Sequence, residues 1–136
     1  MGFFSKKVSY PELDSDNPAA EQIQGVEQPL KTLMEKVSDP LEVIPADDHA
    51  YVFIGKPPKK FGVAKIEEGE VQSFVAVAKE KGLDPPKIQL LNEKFRDAYV
   101  QNMDAKRYKA KVAGKEVVVT PCVQLEREVD QIMNSL

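Results

Sequence analysis

The chain has 136 residues, of which 42% are hydrophobic and 30% charged, and a formal net charge of −3. That length suits one hydrophobic core and is short for two, and the composition excludes collagen-like, low-complexity and membrane-spanning classes. Uncharged apolar runs such as Ala50 to Ile54 and Val117 to Val119 fall far short of the roughly 20 residues that cross a bilayer.

Residues 1–16 are polar, contain Pro11 and have no periodic apolar pattern. They read as a flexible arm in front of a single α+β domain over 17–136. Phe3 and Phe4 stand beside Lys6 and Lys7 without the apolar stretch of a secretory signal, which predicts a cytoplasmic protein. Lys6 occupies the place where a myristoylation signal needs serine or threonine.

Asn17-Pro18 reads as an N-cap with a proline at the first helical position. Ile23, Val26, Leu30, Leu33, Met34 and Val37 then follow at helical spacing. Pro29 removes the amide that would bond the Gly25 carbonyl, so the helix is expected to kink or split there. Asp39-Pro40 ends it, because the residue before a proline is pushed out of the α region.

Leu41 to Ile44 is a short strand, and Ala50 to Ile54 is apolar on both faces, as a central strand would be. The loop Gly55 to Lys60 contains Pro57 and Pro58 and cannot form a regular ladder. Phe61 to Glu67 returns as the next strand. Residues 70–82 suit a helix through Val71, Phe74, Val75 and Ala78, ended by Gly82. The competing pattern is a hairpin turn at Glu68-Gly69 followed by a strand carrying Val71, Ser73, Val75 and Val77. The helix is preferred because Ala76, Ala78 and the charged ending suit it.

Asp84-Pro85-Pro86 opens a clear amphipathic helix with Ile88, Leu91, Phe95, Ala98, Tyr99 and Met103 on one face. Arg107 to Val112 alternates, with Tyr108, Ala110 and Val112 inward and Lys109 and Lys111 outward. A tight connection at Ala113-Gly114-Lys115-Glu116 leads to the strand Val117 to Val119. Thr120-Pro121 reads as the cap of a last helix whose apolar face is Cys122, Leu125, Val129, Ile132, Met133 and Leu136. The predicted fold is a small, mostly antiparallel sheet of four to five short strands with about four helices packed mainly on one face.

Charge is unevenly spread. Residues 1–50 hold four basic and ten acidic side chains, whereas residues 51–136 hold fifteen and twelve. Lys56, Lys59 and Lys60 crowd one loop, and Lys106, Arg107, Lys109 and Lys111 follow one another closely before the last hairpin. These seven are the candidate binding residues, forming a basic surface for an acidic protein partner. Nucleic acid is the alternative ligand, through the same lysines with Phe61 and Tyr108. The inward alternation of Tyr108 counts against stacking on bases. The loop is no phosphate-binding motif either, because a strand follows it and its prolines delete amides a phosphate would use.

Two residues could carry chemistry. Cys122, the only cysteine, would lie at a helix N-terminus, where the dipole favours thiolate and a thiol redox role. It lacks a CxxC partner or resolving cysteine, and a small residue on the core face explains it as well. His49, the only histidine, could pair in principle with Cys122 or with Asp47 on the same side of an extended chain. One histidine is a poor start for zinc, so no metal and no cofactor is expected. With no recognisable catalytic set, the sequence favours a non-enzymatic accessory or regulatory domain that binds another protein.

Overall fold

The computed structural model describes residues 10–136, and the features read at Phe3, Phe4 and Lys6 lie outside them. Six strands form one sheet in the order β4-β3-β2-β1-β6-β5, comprising β1 (Leu41–Pro45), β2 (His49–Lys56), β3 (Lys60–Glu67), β4 (Glu70–Ser73), β5 (Tyr108–Val112) and β6 (Lys115–Val119). Neighbours pair antiparallel except β1 and β6, which run parallel through Glu42↔Val118 and Val43↔Val119. The α+β class agrees with the sequence reading, with one strand more than the largest number expected.

The helices are α1 (Pro18–Gly25), α2 (Glu27–Lys36), α3 (Phe74–Glu80), α4 (Pro85–Gln101) and α5 (Val123–Asn134), and they divide between the two faces of the sheet. Side chains alternate across a strand, so β2 sends Ala50 and Val52 to one face and Tyr51 and Phe53 to the other. The first pair packs with Ile23, Leu30, Leu33 and Met34 of α1 and α2. The second packs with Phe74, Leu91, Phe95, Leu125 and Val129 of α3, α4 and α5. This corrects the expectation of helices mainly on one face. A central strand apolar on both sides needs cover on both, and β2 had already signalled it.

Local chemistry explains the remaining differences. The first helix does split, but one turn before Pro29, with Val26 between α1 and α2 and Pro29 buried in the first turn of α2. Residues 70–82 use both competing patterns in succession. Val71 pairs with Ile66 in β4, and the Ser73 hydroxyl then accepts the Ala76 amide at 3.3 Å and starts α3. Asn17 caps α1 as expected, accepting the Ala19 amide at 3.0 Å, and Asp84 caps α4, accepting the Lys87 amide at 3.2 Å. Met103 lies beyond the end of α4 and is exposed rather than packed.

Thr120 is not the cap of α5. Its hydroxyl donates instead to Glu42 Oε2 at 2.6 Å, and Cys122 takes the cap position, its Sγ accepting the Leu125 amide at 3.5 Å. Within the arm, Pro11 to Leu13 run parallel to the edge strand β5. The Lys109 amide donates to the Pro11 carbonyl and the Leu13 amide to the Lys109 carbonyl, each at 2.9 Å. Leu13 packs against the core of α1 and α2. No helix among the described residues is long and apolar enough to cross a membrane.

Candidate functional site

Strand register sorts the seven basic candidates. β2 ends and β3 begins at the loop carrying Lys56, Lys59 and Lys60, and β1 and β6 both start at that end of the sheet. The β5–β6 turn, flanked by Lys111 and Lys115, therefore projects at the same end. With strands about 4.8 Å apart, the two turns stand roughly 14 Å from each other along the sheet. Lys56, Lys59, Lys60, Lys111 and Lys115 are exposed and make no ion pair among the described residues.

The loop is held from outside by α4. Arg96 Nε donates to the Pro58 carbonyl at 2.6 Å and Nη2 to the Lys59 carbonyl at 3.2 Å. The same guanidinium lies 5.6 Å over the Phe61 ring and pairs with Glu93. A cation with five donors thus occupies the loop's backbone acceptors, leaving the three lysines to solvent.

The other candidates do not join this rim. Lys106 is exposed at the opposite end of β5, and Lys109 is half-buried where its backbone pairs with the arm. Arg107 must be withdrawn as a binding residue. It is only 8% exposed and its Nε donates to Glu42 Oε2 at 2.9 Å. The alternation that placed it with Lys109 and Lys111 does not reach it, because β5 begins at Tyr108.

Cys122 is half-buried, its thiol directed toward Asn102 Oδ1 at 3.6 Å. No hydrogen bond joins it to His49 among the described residues. His49 instead has both ring nitrogens engaged by carboxylates, Nδ1 with Asp48 Oδ1 at 2.6 Å and Nε2 with Glu126 Oε2 at 2.7 Å. The ring packs edge-on against Tyr51, with centroids 5.4 Å apart. Tyr51 donates its hydroxyl to Asp130, and burial followed by that hydrogen bond drives its pKa well above the ordinary tyrosine value.

A donor set suited to a cation is therefore assembled where β2 starts, at the end of the sheet opposite the lysine rim. His49, Glu126 and Asp130 offer one nitrogen and two oxygens that all lie within 4.8 Å of one another. Sequence reading matched His49 with Asp47 and did not single out Glu126 or Asp130. Asp47 in fact accepts from Gln22 at 2.7 Å. The one available signal was the i,i+4 spacing of Glu126 and Asp130, which puts two acids on one helix face.

Burial opposes protonation of His49, but the hydrogen bonds and charges of Asp48 and Glu126 outweigh it, and its pKa lies above the ordinary value. Asp48 is held below its own ordinary value by the same imidazolium. Asp130 and Tyr51 flank the ring, and Lys65, paired with Glu67 at 3.4 Å, stands 5.7 Å over Tyr51. A folded-state pKa above the unfolded one means that the folded chain binds the proton more tightly. The stabilisation is whole below the unfolded value near 6.5 and is lost as pH rises through the folded value. In chelator-treated protein, the stability lost in His49→Gln is expected to shrink as pH rises from about 6 to 8. Urea midpoints measured across that range check it, and a difference independent of pH refutes it.

Comparison with protein-family models, with curated proteins and with solved structures finds no match to this chain.

Proposed function

We propose that this chain is a non-enzymatic binding domain that docks the acidic surface of another protein through the lysines at one end of its sheet. The observation that carries the reading is the Lys56–Lys60 loop. Its backbone is anchored by Arg96, while its three ammonium groups are exposed and unpaired among the described residues. A loop already held in place loses little freedom on binding, and clustered charge without internal counterions favours rapid capture of an acidic surface. Lys111 and Lys115 widen the rim at the same end.

Single-stranded nucleic acid fits these residues less well, since stacking needs open aromatic faces beside the lysines. Phe61 is covered by Arg96 and packs on Phe53 at 5.5 Å between centroids, and Tyr108 is half-buried.

Charge reversal tests the reading. In Lys56→Glu/Lys59→Glu/Lys60→Glu, capture of an acidic protein from lysate is expected to weaken roughly tenfold or more, with the unfolding midpoint little changed because all three side chains are exposed. Equal capture by the two forms removes the proposal. Retention on heparin or single-stranded DNA with no acidic protein captured transfers the surface to nucleic acid.

A further inference from the structure

Three carboxylates converge on the chain's only histidine where α5 crosses the start of β2. We propose that His49 Nε2, a Glu126 carboxylate oxygen and an Asp130 carboxylate oxygen bind a divalent transition cation, zinc being the best match, with water completing the coordination.

The spacing suits an ion of this size. Ligand atoms at about 2.0–2.2 Å from zinc in tetrahedral array stand roughly 3.3–3.6 Å apart, and the three atoms here lie within 4.8 Å of one another. The His49–Glu126 contact, at 2.7 Å, has to open by about 0.6–0.9 Å to admit the ion. Both carboxylates ride on α5, whose position is set by the buried Leu125, Val129 and Met133 between and beside them. The imidazole comes from the first residue of β2, so two packed elements preorganise the donors.

The imidazole and the Asp130 carboxylate each have an outer partner of the kind that orients metal ligands. Asp48 holds His49 Nδ1, which leaves Nε2 directed at the two acids. Tyr51 and Asn134 donate to the two oxygens of Asp130, Asn134 at 3.2 Å, and each oxygen keeps a lone pair free. Charge points the same way. Asp48, Glu126 and Asp130 face one imidazole, and the nearby Lys65 is already paired with Glu67. Three carboxylates around one imidazole leave net negative charge that a dication would neutralise.

One nitrogen with two carboxylates favours zinc, manganese or iron(II) over calcium, which prefers six to eight oxygens. The side chains of His49 and Glu126 are 15% and 17% exposed, enough for entry of the ion and for bound water.

Zinc chloride added to chelator-treated protein in a non-chelating buffer is the test. Calorimetry should give one ion per chain, and the ring-proton resonances of the only histidine should shift. Glu126→Gln and Asp130→Asn should each weaken zinc binding roughly tenfold or more, and Asp48→Asn about 10–100-fold, as loss of an outer partner does elsewhere. Cys122→Ser should bind zinc as the wild type does. Unshifted histidine resonances at millimolar zinc overturn the proposal, and so does affinity that survives in both carboxylate variants or vanishes in Cys122→Ser. Should a variant fail to fold by circular dichroism, the wild-type histidine resonances still decide.

Discussion

Glu42→Ala is expected to cost about 3–5 kcal/mol of folding stability, a large share of the roughly 5–15 kcal/mol that holds a domain of this size together. Glu42 belongs to β1, is 8% exposed, and is the acceptor for three buried donors. Its Oε2 takes Arg107 Nε at 2.9 Å and the Thr120 hydroxyl at 2.6 Å, and its Oε1 takes the Tyr99 hydroxyl at 2.6 Å. Burial, then the neighbouring carboxylate, raises the pKa of Tyr99 above the ordinary tyrosine value, so that hydroxyl remains a donor.

Removing the carboxylate strands all three donors and leaves a guanidinium in the interior without a counterion. Arg107 would keep only Nη1, which donates to the Met103 and Ala105 carbonyls at 3.0 Å each, and its Nη2 already has no partner. Replacing both members of a buried pair by apolar residues is far cheaper than removing one. Glu42→Met/Arg107→Met is therefore expected to be more stable than Glu42→Ala, a coupling that a double-mutant cycle measures. Urea unfolding checks both statements, and a Glu42→Ala loss below about 1 kcal/mol would show that the network carries little of the fold.

Gly55→Ala is expected to cost about 2–4 kcal/mol, combining left-handed backbone strain with overlap against neighbouring backbone. Gly55 has φ +115°, and a Cβ there would stand 2.8 Å from the Lys60 carbonyl oxygen and 3.3 Å from Phe61 Cα. Neither atom can swing away, because Gly55 and Phe61 face each other in the β2–β3 register. The Gly55 amide also donates to the Pro40 carbonyl at 2.9 Å, so relief of the overlap pulls on the entry to β1 as well. The variant should unfold at lower urea and lose capture of the acidic partner while every lysine is present. Wild-type stability in Gly55→Ala would mean that the loop tolerates a different path.

How far the sequence revealed this fold depended on whether the signal was local. Asp84-Pro85-Pro86 and the stripe from Ile88 to Tyr99 specify α4 within one segment, and the structure places that helix over 85–101. Residues 70–82 carried two superimposed periods, and the chain obeys one before Ser73 and the other after it. The parallel β1–β6 pairing had no local signature, since it rests on two register positions in strands more than seventy residues apart. Glu42 was a clue that could have been used, as a lone acid in a strand whose five residues are all buried needs buried donors.

The surface residues were legible as residue types rather than as sites. Lys56, Lys59 and Lys60 stand together because they are neighbours in the chain. Arg107 looked equivalent to Lys109 and Lys111 until its burial separated it from them. Glu126 and Asp130 met His49 only through folding, across 77 residues of sequence in the case of Glu126.

The pairing of Pro11 to Leu13 with β5 also bears on self-association. An open sheet has two edges, and each is a template on which another chain could add a strand. At one edge β4 offers only four residues. At the other, the outward amide and carbonyl of Lys109 are already taken by the arm, and Pro11 has no amide of its own to pass the ladder on. At the β5 edge, the place a second copy would add its strand is taken by the chain's own arm at Lys109.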